Sequence, residues 1–268
     1  MSQFINKTVV ITGGSEGIGR ALVEEFLSRG ARVATCGRNY DKLYDLQSHQ
    51  AGKPLFIHTA DVSKEIDCKN FIEQVIKQFG SIDILINNAG LSMRSHFIDV
   101  DLSTMRRLMD VNFGGTMNTT KYALPYILKN KGSIVAVSSI AGYRGLPGRA
   151  GYSASKFAVN GFMEALRTEL LDSGVNVLWV CPGFTASNIR NVALNKDGKP
   201  QGESPLEEKK LMPASVCANY IIRAIEKRKR TIVLTANGKE TVFLNKFFPS
   251  LTDRIVKMFF YKKGELVK

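Results

Sequence analysis

Cysteine is scarce. The four in 268 residues, Cys36, Cys68, Cys181 and Cys217, stand far apart with no C-x-x-C pair. That spacing excludes a disulfide-stapled fold, and the three histidines, His49, His58 and His96, offer neither metal-ligand nor triad spacing. No apolar run approaches the roughly 18 residues of a spanning helix. The start Met1-Ser2-Gln3-Phe4-Ile5-Asn6-Lys7 also lacks the apolar core and cleavage site of a signal peptide. The expectation is a cytosolic protein with free thiols that does not cross a membrane by itself. Repeats and low-complexity tracts are missing too, and 44% hydrophobic with 23% charged residues excludes disordered, collagenous and coiled-coil classes. Acidic residues fall short of basic ones, 24 against 37, for a net charge of +13. Such an excess suits an anionic ligand, a nucleic acid or an acidic membrane surface. It is concentrated: Arg223 to Lys268 holds 12 basic and 4 acidic residues, +8, and the preceding 222 positions only +5.

What is present is alternation. Apolar, β-branched runs at Thr8–Ile11, Arg32–Thr35, Leu55–Thr59, Ile82–Ile86, Ser133–Val137, Asn176–Val180 and Thr231–Leu234 are separated by longer segments, most of period 3.6. Seven strands alternating with helices predict a parallel sheet, and near-continuous apolar strands predict burial on both faces. The expected architecture is a doubly wound α/β fold of Rossmann type, one domain over residues 1–240 followed by a basic amphipathic extension over 241–268. Periodicity is lost between Phe184 and Met212, where Asn195-Lys196-Asp197-Gly198-Lys199-Pro200 is turn chemistry. Residues 184–212 are therefore expected to form a long loop, an active-site lid.

Gly13-Gly14-Ser15-Glu16-Gly17-Ile18-Gly19 follows the first strand and opens a helix. Glycines there let backbone N–H groups and the helix N-terminus approach a pyrophosphate; the plainer alternative is a tight turn with no ligand. About 20 residues on, where a carboxylate ordinarily holds the ribose of NAD, stands Arg38. A guanidinium pairs with a 2′-phosphate, so NADP(H) is expected over NAD unless Arg38 is only a surface residue. Glu16 argues the other way, since a carboxylate near that phosphate opposes it.

Ser139 ends a strand, Tyr152 lies 13 residues beyond, and Lys156 shares Tyr152's helical face at i+4. An ammonium beside a phenol favours its ionised form, which makes Tyr152 a candidate proton donor, with Ser139 holding a carbonyl oxygen. Tyr152-x-x-x-Lys156, Ser139, the glycine turn, Asn87-Asn88-Ala89-Gly90 and Pro182-Gly183, in that family's order over Lys7 to Leu234, resemble the short-chain dehydrogenase/reductase family. The resemblance implies a nicotinamide-dependent oxidoreductase in which Asn112 is the fourth catalytic residue, bending its helix to hold a water behind Lys156. It implies that Lys156 also binds the nicotinamide ribose, beside Tyr152. It places Gly13, Ser15, Gly17, Ile18 and Gly19 under the pyrophosphate, Asp61 and Val62 at the adenine, Asn88, Ala89 and Gly90 along the cofactor wall with Asn87 in support, and Pro182, Gly183 and Thr185 at the nicotinamide. Read singly, Asp61 is equally a loop cap, Asn87 a strand-end hydrogen-bonder and Asn112 a polar residue inside a helix.

In that family the pocket is walled by the stretch after the serine and by the lid. Here Tyr143, Leu146, Phe184 and Ile189 offer an apolar wall. Arg94, Arg144, Arg149 and Arg190 are cations within reach of an anionic group, although loop arginines usually face water. Leu244, Phe247, Phe248, Leu251, Ile255, Met258 and Phe259 fall on one helical arc flanked by Lys246, Arg254, Lys257, Lys262 and Lys263, with Pro249 expected to split it. Such a segment lies in a membrane interface or packs on the protein or in a dimer contact. Lys227-Arg228-Lys229-Arg230 reads as a solvated turn, and no nucleic-acid partner is expected. The expected activity is interconversion of an apolar, lipid-derived ketone with its secondary alcohol, by a homodimer or homotetramer; the alternative is a non-catalytic dinucleotide-binding sensor or scaffold.

Overall fold

The structure, a computed structural model, describes residues 3–267. Seven strands, β1 (Thr8–Thr12), β2 (Arg32–Gly37), β3 (Leu55–Thr59), β4 (Ile84–Asn87), β5 (Ser133–Val137), β6 (Asn176–Cys181) and β7 (Thr231–Val233), form one sheet. All neighbouring pairs are parallel, in the order β3-β2-β1-β4-β5-β6-β7. The doubly wound α/β architecture read from the alternation is the one observed.

Strand periodicity explains the two-sided core. Val10, Ala34, Leu85, Ile134 and Val177 point into one apolar layer, and Val9, Ile11, Val33, Ile84, Ile86, Val135 and Leu178 into the other. The first layer is covered by α3 (Glu65–Phe79), α4 (Leu102–Met109), α5 (Gly115–Asn130) and α6 (Ala150–Glu169). The second is covered by α1 (Gly17–Ser28) and α7 (Ala214–Glu226), with Leu46 of α2 (Tyr40–His49). Between α4 and α5 the chain makes a π-helical turn, Asp110–Gly114.

The order reverses between β1 and β4, so their carboxyl ends diverge and open a crevice, where ligands of such sheets bind. Thr12 stitches that edge, its hydroxyl accepting the N–H of Asn88 and of Ala89, both at 3.0 Å.

The C-terminal segment is two helices, α8 (Ala236–Phe247) and α9 (Pro249–Phe260), with Pro249 as the first residue of the second, where its missing N–H costs nothing. A boundary at residue 240 falls inside α8. A hairpin that the sequence did not announce follows, β8 (Tyr261–Lys262) and β9 (Glu265–Leu266), turning on Lys263 and Gly264 at φ 52° and 85°. Among the described residues no helix is long and apolar enough to cross a membrane, and no cluster of His, Cys, Asp or Glu is placed to hold a metal ion.

Candidate active site

A cavity of about 1000 Å³ opens at the carboxyl ends of β1, β4, β5 and β6. Gly13, Ser15, Gly17, Ile18, Arg38, Asp61, Val62, Asn88, Ala89, Gly90, Ser139, Tyr152, Lys156, Pro182, Gly183 and Thr185 all line it. Gly19 and Asn112 stand behind the wall.

The glycine turn is built for close approach. A Cβ on Gly19 would sit 2.1 Å from the Gly13 carbonyl oxygen and 2.5 Å from Asn88 Nδ2, and Gly17 has φ +55°. Asn88 Nδ2 donates to the carbonyls of Thr12 and Gly13, which holds the turn in shape. This cradle of small residues at the N-terminus of α1 suits a dinucleotide pyrophosphate. Arg38 follows β2, is exposed, and faces the same cavity. Glu16 does not oppose it freely, because Lys42 Nζ binds its Oε1 at 2.8 Å. Lys42 was not singled out in the sequence; it becomes visible only when the first turn of α2 is folded against the glycine turn, 26 residues away.

Asp61 serves as a loop cap, its Oδ1 accepting from the N–H and hydroxyl of Ser63, while its residue still lines the cavity. Asn87 turns away: its Nδ2 donates to Thr120 on α5 at 2.9 Å, and the residue does not line the cavity. The π turn places Asn112 so that Oδ1 accepts Leu91 N–H at 2.7 Å and Nδ2 donates to Leu91 O and Ser155 Oγ. Asn112 thus clamps the chain just after Gly90 to α6. His58 stacks between Phe56 and Phe71 and is part of the packing.

Lys156 is buried and donates to Val137 O at 2.8 Å, with its Nζ 5.8 Å from the Tyr152 ring centre. Burial pushes Lys156 down to about 8. Burial also pushes the Tyr152 phenol above its ordinary range, and the Ser139 hydroxyl and the Arg149 charge draw it back only in part. The direction differs from the one expected from the sequence: burial is the largest influence on Tyr152, the positive charges that lower its pKa are Arg149 and Arg190 rather than Lys156, and the phenol keeps its proton at neutral pH.

The segment from Phe184 to Met212 is a tethered loop. Arg190 grips Glu208 through Nε and Nη2, both at 2.5 Å, and Nη2 also donates to Thr185 O at 2.7 Å. Ser204 Oγ and Ser187 N–H complete the acceptor side of Glu208. These bonds draw the Glu208 carboxyl down to about 2. Because its pKa is depressed on folding, the tether contributes fully above the ordinary carboxyl range near 4.5 and is lost as pH falls through about 2. At neutral pH, Glu208→Gln is expected to speed amide hydrogen exchange in residues 185–212 by about tenfold or more while hardly moving the global melting temperature. Unchanged exchange would show that the loop is held by its backbone bridges alone.

The tail also builds the cavity. Leu244, Ile255, Val256, Phe259 and Phe260 line it, and Phe259 stacks on Phe184 with ring centres 6.1 Å apart.

A family profile described as short chain dehydrogenase matches residues 7–197. The chain belongs to the short-chain dehydrogenase family. It is 32% identical over 259 residues to dehydrogenase/reductase SDR family member 7B of Mus musculus, covering 94% of this chain and 80% of that one. It is 33% identical over 257 residues to 11-beta-hydroxysteroid dehydrogenase A of Arachis hypogaea, covering 92% and 73%. A solved short chain dehydrogenase/reductase from Burkholderia phymatum, in complex with NAD, superposes with a TM-score of 0.82 at 23% identity, over 94% of this chain and 96% of that one. This short-chain dehydrogenase is thus a member of an oxidoreductase family that uses a nicotinamide dinucleotide and acts on CH–OH groups.

Proposed function

We propose that the protein is an NADP(H)-dependent oxidoreductase that interconverts a ketone and a secondary alcohol on an apolar, lipid-derived substrate. The observation that carries this reading is the meeting of Ser139, Tyr152 and Lys156 on one cavity that runs from a glycine turn to an apolar wall supplied by the lid and tail. The dinucleotide, which supplies or accepts the hydride, would be held by Gly13, Ser15, Gly17, Ile18 and Gly19, by Asp61 and Val62, by Asn88 to Gly90, and by Pro182, Gly183 and Thr185. Arg38 and Lys42 favour the 2′-phosphate, since both are cations at the end of the cavity beside the glycine turn.

Ser139 and Tyr152 bind the carbonyl oxygen between two hydroxyls, and Tyr152, kept protonated by burial, gives its proton to that oxygen. Lys156 holds a positive charge behind the ring as the phenol loses its proton. Asn112 keeps Leu91 and Ser155 in register and so steadies the wall opposite. Turnover of NADPH across ketones of increasing chain length, ketosteroids included, is the test; cofactor binding without turnover on any of them would favour a binding role instead.

The tail belongs to the same reading. α9 docks through Thr252, Val256 and Phe260, spaced by four, while Phe243, Phe247, Phe248, Leu251 and Met258 stay exposed. Lys246, Lys257, Lys262 and Lys263 are exposed on the same two helices and the hairpin. Aromatics with lysines alongside suit an acidic bilayer, each cation near the surface adding about 1 kcal/mol. A lipid substrate would then enter past Leu244 and Ile255, which line the cavity from the tail. The full-length protein is expected to float with vesicles containing acidic phospholipid at low salt and to be released at high salt. Replacing Phe247, Phe248 and Met258 together with serine should abolish flotation and leave the melting temperature unchanged. Wild-type protein that stays soluble at low salt, or a dimer that dissociates in the triple variant, would assign this face to the protein itself.

A further inference from the structure

Of the four candidate arginines, Arg94, Arg144, Arg149 and Arg190, only Arg149 and Arg190 line the cavity, and one differs from the other three. Arg94 pairs with Glu203, Arg144 with Asp253 and Arg190 with Glu208. Arg149 has no carboxylate partner among the described residues. It is only 6% exposed, its Nε is buried without a hydrogen bond, and its one side-chain bond runs from Nη1 to Ser92 Oγ at 3.1 Å. Burial lowers its pKa, and the permanent charges that bear on it, Arg190 and Arg94, are both positive. A buried cation in such company is costly unless something offsets it, and among the described residues only the neutral hydroxyl of Ser92 accepts from its side chain.

Arg149 nevertheless lines the cavity, together with Leu146, Ile189 and Leu194. It stands at the N-terminal boundary of α6, three residues before Tyr152, and the two groups are close enough to influence each other electrostatically. Ser92 and Arg190, its surroundings, belong to the loop after β4 and to the lid, whereas the phosphate cradle is built by the turn after β1 and the end of β2. Arg149, without a carboxylate partner, therefore lines the reacting end of the cavity.

We propose that Arg149 is a receptor for an anionic oxygen group of the substrate, a carboxylate or phosphate a few bonds from the reacting carbonyl of an otherwise apolar molecule. This rests on the ketone-reductase reading and narrows its substrates to amphiphilic oxo acids and oxo phosphates. A planar guanidinium suits such a group by offering parallel N–H donors, and charge-assisted bonds in a low-dielectric wall discriminate strongly against a neutral isostere.

The test is calorimetric titration of the full-length protein with decanoate, decyl phosphate and decanamide, which share a chain and differ in charge. At least one anion is expected to bind about tenfold or more tightly than the amide, and the better of the two identifies the class. Arg149→Met should remove that preference and keep decanamide binding, which shows that the variant is folded; Arg149→Lys should keep part of it. Equal affinity for all three in the wild type, or a preference that survives in Arg149→Met, overturns the proposal. So does a variant in which only the pH profile of turnover moves, since Arg149 would then serve Tyr152. Turnover of 4-oxodecanoate is measured separately from its methyl ester. Absence of turnover on every ketone, with the decanoate preference intact, would reject the reductase reading and leave the anion site standing.

Discussion

Tyr152→Phe is expected to lower ketone turnover by about 10²-fold or more and to change NADPH affinity by less than about twofold. The substitution removes one oxygen and keeps the ring, so packing against the hydrophobic layer around α6 survives. What disappears is the phenolic hydroxyl that keeps its proton on the cavity wall that Ser139 shares. Steady-state rates with a ketone, set beside a fluorescence titration of the cofactor, separate the two effects. A variant that kept more than about a tenth of wild-type turnover would place the proton donor elsewhere.

Arg38→Asp should shift the ratio of kcat/KM for NADPH over NADH by about 10²-fold toward NADH, because it replaces an attraction for the 2′-phosphate by a repulsion. Lys42→Ala should move the ratio in the same direction by about tenfold, for two reasons. It removes a cation, and it releases the Glu16 carboxylate from its 2.8 Å partner, so that a negative charge faces the cavity beside the glycine turn. Measuring both ratios checks both residues. An unchanged ratio in Arg38→Asp would take Arg38 out of the site, and an effect in Lys42→Ala alone would make the lysine the phosphate's partner.

Chemistry that depends on neighbours along the chain could be read before any fold was known. The seven strands alternate apolar residues on both faces, so Val9 and Val10 each announce a covered side. Tyr152 and Lys156 share a helix face by spacing alone, and Gly13, Gly17 and Gly19 mark a turn that no larger residue tolerates. Those local rules determined the α/β architecture and the core of the candidate site.

Contacts across long separations were invisible in the same letters. Lys42 neutralises Glu16, Arg190 reaches Glu208, and Asn112 meets Leu91 and Ser155 only after the sheet has assembled. The tail reads as a single apolar arc in projection, yet it docks by Thr252, Val256 and Phe260 and leaves Phe247, Phe248 and Met258 outside. Helical spacing names a stripe, but which stripe is buried is set by the surface it meets. Likewise the lysine beside Tyr152 was legible, while the direction of the tyrosine's shift was not. Ionisation balances a nearby charge against loss of water, and the second quantity exists only once the cavity walls have closed around the phenol.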